Sequence, residues 1–190
     1  MEMNADVSYI IGLWKADKCS TAKGIVGIRS KDDEIIDRFT LFLLKHFPEQ
    51  KLRTRTVLGY GLTKEVYVCS YPTRKLFEKT IPERNNMDEK FLASFFAGII
   101  DGDGSIDPKS RMTYIAYGLK DRKEIELDKK LLNKLGFSSS INRSGRALKL
   151  NIHKPKNFLK LIFPYMMLKC KREKISAYLD RKPNERDPCL

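Results

Sequence analysis

The hydrophobic and polar positions along this chain follow a pattern that occurs twice. A nearly continuous apolar run, "YIIGLWKADKC" at 9–19, ends on an aspartate, and "FFAGIIDGDGSID" at 95–107 has the same outline. Behind the first comes "GIVGIRSKDDEIIDRFTLFLLKHF", 24–47, and behind the second "TYIAYGLKDRKEIELDKKLLNKLGF", 113–137. Each reads as a short β-rich run, a Lys-Asp pair, and an amphipathic helix that closes on a phenylalanine. Ile35, Ile36, Phe39, Phe42 and Leu43 keep helical spacing in the first helix, as Ile125, Leu127, Leu131, Leu132 and Leu135 do in the second. Hairpins are predicted over 52–70, turning near Gly59–Gly61, and over 138–153, turning at Ser144-Gly145. Pro72 and Pro155 then open short helices, which Pro82 and Pro164 close.

The order in each half is helix, strands, helix, hairpin, helix. That predicts an α+β fold of duplicated αββαββα halves with pseudo-twofold symmetry. The first half spans 1–88 and the second 89–180, with a tail at 181–190. Each antiparallel sheet is expected to be covered by helices on one face and open on the other. An approximately symmetric chain suits an approximately symmetric substrate, as duplex DNA is.

Charge sharpens that picture. The chain has 190 residues and a formal charge of +13, divided as +3 over 1–88 and +10 over 89–190. Such a balance points to a polyanion, nucleic acid before membrane. Cys19, Cys69, Cys170 and Cys189 are scattered, and His46 and His153 are the only histidines, so no zinc ligand set can be read. Two distant histidines also exclude an HNH nuclease site. No signal sequence and no membrane-length apolar run is seen, which predicts a soluble, intracellular protein of cytoplasm or nucleoid with free thiols and no membrane partner.

The aspartate-ended helices carry the candidate chemistry. Gly12 and Ala16 in one, and Gly98 and Gly102 in the other, are small residues four apart, which let two helix backbones approach closely. Packing them side by side brings Asp17 and Asp103 together. A carboxylate at a helix C-terminus is disfavoured by about 0.3–1 kcal/mol, and two facing each other repel. A divalent cation between them resolves the conflict. Carboxylate and carbonyl oxygens suit Mg²⁺, and Mg²⁺ on a basic surface implies phosphodiester hydrolysis. A calcium loop is excluded, because "DGDGSID" has Ile106 where an EF-hand needs glycine and Met112 where it needs glutamate.

"FAGIIDGDG" at 96–104, and more loosely "IIGLWKADK" at 10–18, resemble the motif of the two-motif LAGLIDADG homing endonucleases, and the resemblance covers nearly the whole chain. It implies a monomer, of the intron-encoded kind, that clamps double-stranded DNA in a saddle of two antiparallel sheets and cuts both strands across the minor groove, leaving 3′ overhangs. It makes Asp17 and Asp103 metal ligands and adds the carbonyls of Ala16 and Gly102. The cofactor would be Mg²⁺, with Mn²⁺ substituting. It also implies catalytic lysines near the metal: Lys169, in "PYMMLKCKREK", and Lys31 and Lys120 at the ends of strands. Two departures stand out. Lys15 occupies a position where an acid is common, and Lys18 replaces the closing glycine, so the two strands are expected to be cut at unequal rates.

Strand alternation supplies the reading surface. Lys51, Arg53 and Arg55 share one face, as do Lys149, Asn151 and His153, with Ser140 and Asn142 joining from the paired strand; Leu148, Leu150 and Ile152 point to the core. The alternatives are a maturase that binds intron RNA and a DNA-binding protein that no longer cuts.

Overall fold

In the computed structural model, which describes residues 2–19, 22, 24–59 and 61–180, chain contacts group into two units that meet between Gly102 and Asp103. In the first unit, α1 (Ala5–Asp17) begins where the Asn4 side chain accepts a hydrogen bond from the Val7 N–H. Every residue from Val7 to Trp14 is buried, which explains why this helix is apolar all round and not striped. There follow β1 (Ile25–Ser30) and α2 (Asp33–His46), whose first turn is capped by Asp32. Next come β2 (Arg53–Gly59), β3 (Gly61–Cys69), α3 (Tyr71–Glu83) and α4 (Glu89–Asp103).

The sheet runs β1-β3-β2, antiparallel throughout. Val26, Ile28, Val66 and Val68 lie on its inner face. All five periodic residues of α2 are buried as well. Trp14 meets the Phe77 ring edge-on at 5.4 Å, tying α1 to α3. Pro72 stands in the first turn of α3, as expected, but Pro82 does not end the helix. It sits in the last turn, which runs on into a 3₁₀ segment at 84–86, so its ring costs the helix one hydrogen bond near its end and leaves the preceding turns intact.

The second unit contains β4 (Gly104–Asp107), β5 (Met112–Gly118), α5 (Arg122–Lys134), β6 (Ser139–Ser144), β7 (Ala147–Ile152), α6 (Lys156–Ile162) and α7 (Lys169–Asp180). Its strand order is β4-β5-β7-β6. The three strands β5-β7-β6 repeat the topology of β1-β3-β2. The repeat is unequal in one element: among the described residues, what is strand β4 in the second half is a single bridge between Lys18 and Ile28 in the first. The sheets therefore have three and four strands.

Ile115, Leu150 and Ile152 are buried on the face that meets α5, whereas Leu148 is only half-buried. Leu127 in α5 and Leu135 at its C-cap are half-buried, and Asp128 is fully buried, accepting a 2.6 Å hydrogen bond from the Tyr117 hydroxyl. The tight β6–β7 turn falls on Gly145-Arg146, one residue later than expected, with Gly145 at φ 58°. Cys19, Cys69 and Cys170 are free thiols. The tail 181–190, with Cys189, lies outside the described residues. No helix among the described residues is long and apolar enough to cross a membrane.

Candidate active site and nucleic-acid interface

The site is built on the seam between α1 and α4, which run parallel. Three small residues per helix line it, four apart: Ser8, Gly12 and Ala16 against Ser94, Gly98 and Gly102. A Cβ on Gly12 would stand 2.1 Å from the Phe95 carbonyl oxygen, and one on Gly98 would stand 2.1 Å from that of Tyr9. Each serine hydroxyl donates across the seam, Ser8 to the Phe91 carbonyl at 2.7 Å and Ser94 to the Ala5 carbonyl at 2.5 Å. Glycine is thus required here by backbone contact.

The seam ends at Asp17. Its Oδ2 lies 3.3 Å from the point a Gly102 Cβ would occupy, and the Ala16 Cβ lies 2.4 Å from that point. The Asp17 side chain is half-buried; Asp103, the next residue after Gly102 and the last of α4, is exposed. Gly102 lets α4 approach Ala16 and Asp17 closely, and the donors that Asp17, Asp103 and the backbone of Ala16 and Gly102 offer are all hard oxygens, carboxylates and carbonyls. Those residues fit Mg²⁺ or Mn²⁺.

Sequence reasoning missed a buried polar pair on the same seam. The Tyr9 hydroxyl donates to Asp101 Oδ2 at 2.8 Å, and both residues are 1% exposed. Burial, and then the Asp101 carboxylate, push the Tyr9 phenol far above its usual range, so it stays protonated as the donor. The available signal was the motif's inner acid, Asp101, set against Lys15 at the matching place in the first motif. Tyr9→Phe takes a donor from a buried carboxyl and is expected to destabilise the chain by about 1–3 kcal/mol. Urea unfolding measures this, and a change below about 0.5 kcal/mol would remove the pair from the account of the seam's stability.

The three lysines lie on the surface. Lys31 follows β1, its Nζ 3.1 Å from where a Gly61 Cβ would be, so it leans on the end of the β2–β3 hairpin. Lys120 is exposed in the turn between β5 and α5, and Lys169 is exposed at the first position of α7.

In each sheet a basic set lies on the face opposite the apolar set, Arg29, Arg53 and Arg55 in the first and Lys149 in the second, whereas Lys64 and Arg143 have the parity of the apolar face. In the second unit Ser140 pairs with Asn151 and Asn142 with Lys149 across β6 and β7, which puts all four on one face. The Lys149 ammonium lies 4.4 Å from the Tyr114 ring centroid. Ser140, Asn142, Asn151 and His153 line a recess of about 300 Å³, together with Arg111 and Lys154. Arg111 and Lys154 have left-handed backbones, at φ 55° and 47°. Nothing in the sequence pattern marked those two, because their proximity depends on two turns folding to the same end of the sheet.

In the first unit Arg53 and Arg55 share the corresponding face, whereas Lys51 lies outside the strand, in a 3₁₀ turn at Glu49–Lys51. That turn breaks the two-residue alternation on which its grouping with the arginines depended. Arg53 Nη1 bonds back to the carbonyls of Gln50 and Leu52. Glu65, unmarked in the sequence, is 1% exposed between Arg29 and Arg55. Burial opposes its ionisation, but hydrogen bonds from Arg55 and Arg29 outweigh this and hold the carboxyl below its usual range.

Residues 90–181, from the start of α4 through α7, match the model of the LAGLIDADG-like domain. The second half of the chain is therefore similar to a LAGLIDADG-like domain. Asp103, Lys120, Lys149, Asn151 and Lys169 all fall inside it. No curated protein sequence matches the chain. Among solved structures, that of I-DmoI in complex with DNA and Ca is 19% identical, covering 84% of this chain and 89% of that one, with a TM-score of 0.65. I-DmoI, a homing endonuclease, in complex with DNA and Mn is also 19% identical, covering 87% of this chain and 97% of that one, with a TM-score of 0.62. Full-length DUF199/WhiA from Thermatoga maritima is 16% identical over 92% of this chain and 59% of that one, with a TM-score of 0.62. At these identities the likeness is one of fold: the α+β LAGLIDADG fold with two antiparallel sheets.

Proposed function

We propose that the protein is a monomeric, divalent-metal-dependent homing endonuclease that hydrolyses both strands of a long duplex DNA target with a staggered cut across the minor groove, leaving 3′ overhangs. The observation that carries this reading is the end of the α1–α4 seam, where the Asp17 carboxylate lies beside the side-chain-free Gly102 and Asp103 follows directly. A pure helix contact has no use for acids at two helix C-termini.

Asp17 and Asp103, with the carbonyls of Ala16 and Gly102, would hold Mg²⁺, and Mn²⁺ in its place. A bound ion of this kind supplies Lewis acidity at a phosphoryl oxygen and a more acidic water. Asp17 and Asp103 would also be able to accept hydrogen bonds from a water at that place. Lys31, Lys120 and Lys169 would supply positive charge to the phosphate as negative charge develops. On the open sheet faces Arg53, Arg55, Ser140, Asn142, Lys149, Asn151 and His153 would contact bases and phosphates, with Lys51 beside the first sheet adding a phosphate contact.

A DNA binder that no longer cuts is the second reading, favoured by Lys18. In place of the motif's closing glycine, Lys18 is exposed, forms the β-bridge to Ile28 and has its ammonium 5.9 Å from the Trp14 ring centroid, which puts a cation directly after Asp17.

A randomised duplex library incubated with the full chain and Mg²⁺, with Ca²⁺ as a binding control and the ends sequenced, separates these readings. Recurrent double-strand breaks at one long motif are expected. Specific binding without breaks gives the silenced binder, and retention of intron RNA with neither result on DNA gives the maturase.

A further inference from the structure

One carboxylate on the open face of the first sheet stands out. Glu65 lies in mid-strand on the side opposite Val66 and Val68, yet its side chain is 0% exposed because arginines from both neighbouring strands close over it. The register puts the three residues in line, with Arg29 on β1 and Arg55 on β2 each directly opposite Glu65 on β3. Arg29 Nε donates to Oε1 at 2.5 Å, and its Nη2 pairs with the same oxygen; Arg55 Nε donates to Oε2. Both arginine side chains nevertheless remain 43% and 56% exposed, and the Arg55 guanidinium lies 5.8 Å from the Tyr67 ring centroid.

Stability is a poor reason for this arrangement. Ion pairs of exposed arginines contribute little, and a buried carboxylate carries a desolvation cost that a threonine or valine in the sheet would avoid. What the carboxylate does achieve is geometric. It occupies one edge of each guanidinium, removes the rotamer freedom of two long side chains, and leaves further N–H donors of each directed outward. The cluster keeps a net charge of +1.

The geometry points to Glu65 as a positioning residue that holds Arg29 and Arg55 as one rigid unit for reading guanine edges in the major groove of duplex DNA. A guanidinium donates two parallel hydrogen bonds to guanine O6 and N7, and only a fixed orientation converts that match into discrimination. The assignment rests on the DNA-cleaving reading of the protein.

The test compares the full-length wild type with Glu65→Gln for binding, in Ca²⁺, to the duplex selected by the wild type and to every single-base variant of it. At one or two positions the wild type is expected to prefer guanine by roughly tenfold or more, and Glu65→Gln is expected to lose most of that preference. Affinity for an unrelated duplex should hold or tighten, because a negative charge has been removed. A merely structural role would weaken all duplexes alike, and a phosphate clamp would change the salt dependence without changing base preference; either result overturns the assignment. Should Glu65→Gln fail to fold, Arg29→Lys and Arg55→Lys keep the charge but remove the fork, and are expected to show the same base-specific loss. A wild type that selects no duplex overturns the functional reading and this assignment together. A wild type with a target whose guanine preferences survive in Glu65→Gln overturns this assignment alone.

Discussion

Asp17→Asn and Asp103→Asn are each expected to slow double-strand cleavage by a factor of roughly 10³ or more, the several kcal/mol that a bound divalent ion supplies at a phosphoryl centre. The amide is nearly isosteric, so what is lost is negative charge and an oxygen donor, not volume. Target affinity in Ca²⁺ is expected to stay within about tenfold, because the proposed phosphate and base contacts lie on the sheets and not on the seam. Stability should move the other way. Both acids stand at helix C-termini, where the backbone dipole disfavours a carboxylate, so removing the charge is expected to leave the unfolding midpoint unchanged or to raise it slightly. Activity falling while stability holds is the signature of a functional acid kept against a local cost. Cleavage within twofold of the wild type in both variants would remove the metal-site reading of Asp17 and Asp103.

Gly98→Ala is expected to be the most damaging single change to the fold. Its Cβ would lie 2.1 Å from the Tyr9 carbonyl oxygen and 2.7 Å from the Leu13 nitrogen, and both are backbone atoms of α1. No side chain can swing aside, so the helices must separate, and the Ser8, Ser94 and Tyr9 hydrogen bonds across the seam lengthen with them. A loss of about 3 kcal/mol is expected, at the upper end of what overpacking costs, or a fall of roughly 10 °C in unfolding temperature. Gly145→Ala is the control: nothing lies within 4 Å of its added Cβ, and it should cost only the left-handed strain of a turn at φ 58°, about 1 kcal/mol. Equal losses in the two variants would mean that close backbone approach is not what holds α1 to α4.

The seam was legible in the sequence because its cause is local. Small residues four apart lie on one face of any helix, so Gly12, Ala16, Gly98 and Gly102 declare a close contact before any partner is known. The amphipathic helices and the hairpins were legible for the same reason, as was the inner set Leu150 and Ile152 on β7. Where a period was interrupted, the reading slipped. The 3₁₀ turn at Glu49–Lys51 takes Lys51 off the strand, and Asp128 enters the core of α5 because Tyr117 is there to meet it.

The sequence by itself determined the repeated α+β plan, the aspartates that end the two motif helices, and the basic character of the sheet faces. Each follows from composition or from spacing within one element. Only the tertiary structure decided that Tyr9 answers Asp101 across 92 residues, that Glu65 binds Arg29 and Arg55 from two different strands, that Arg111 and Lys154 share a recess, and that the first half retains a single bridge where the second has strand β4. In each of these cases the partners are distant in the chain, and no periodicity within one element records which of the available charges will stand opposite which once register is set. Hydrophobic patterning selects which face is buried, whereas strand register and helix packing select the neighbour, and a buried polar group is stable only when that neighbour is the right one.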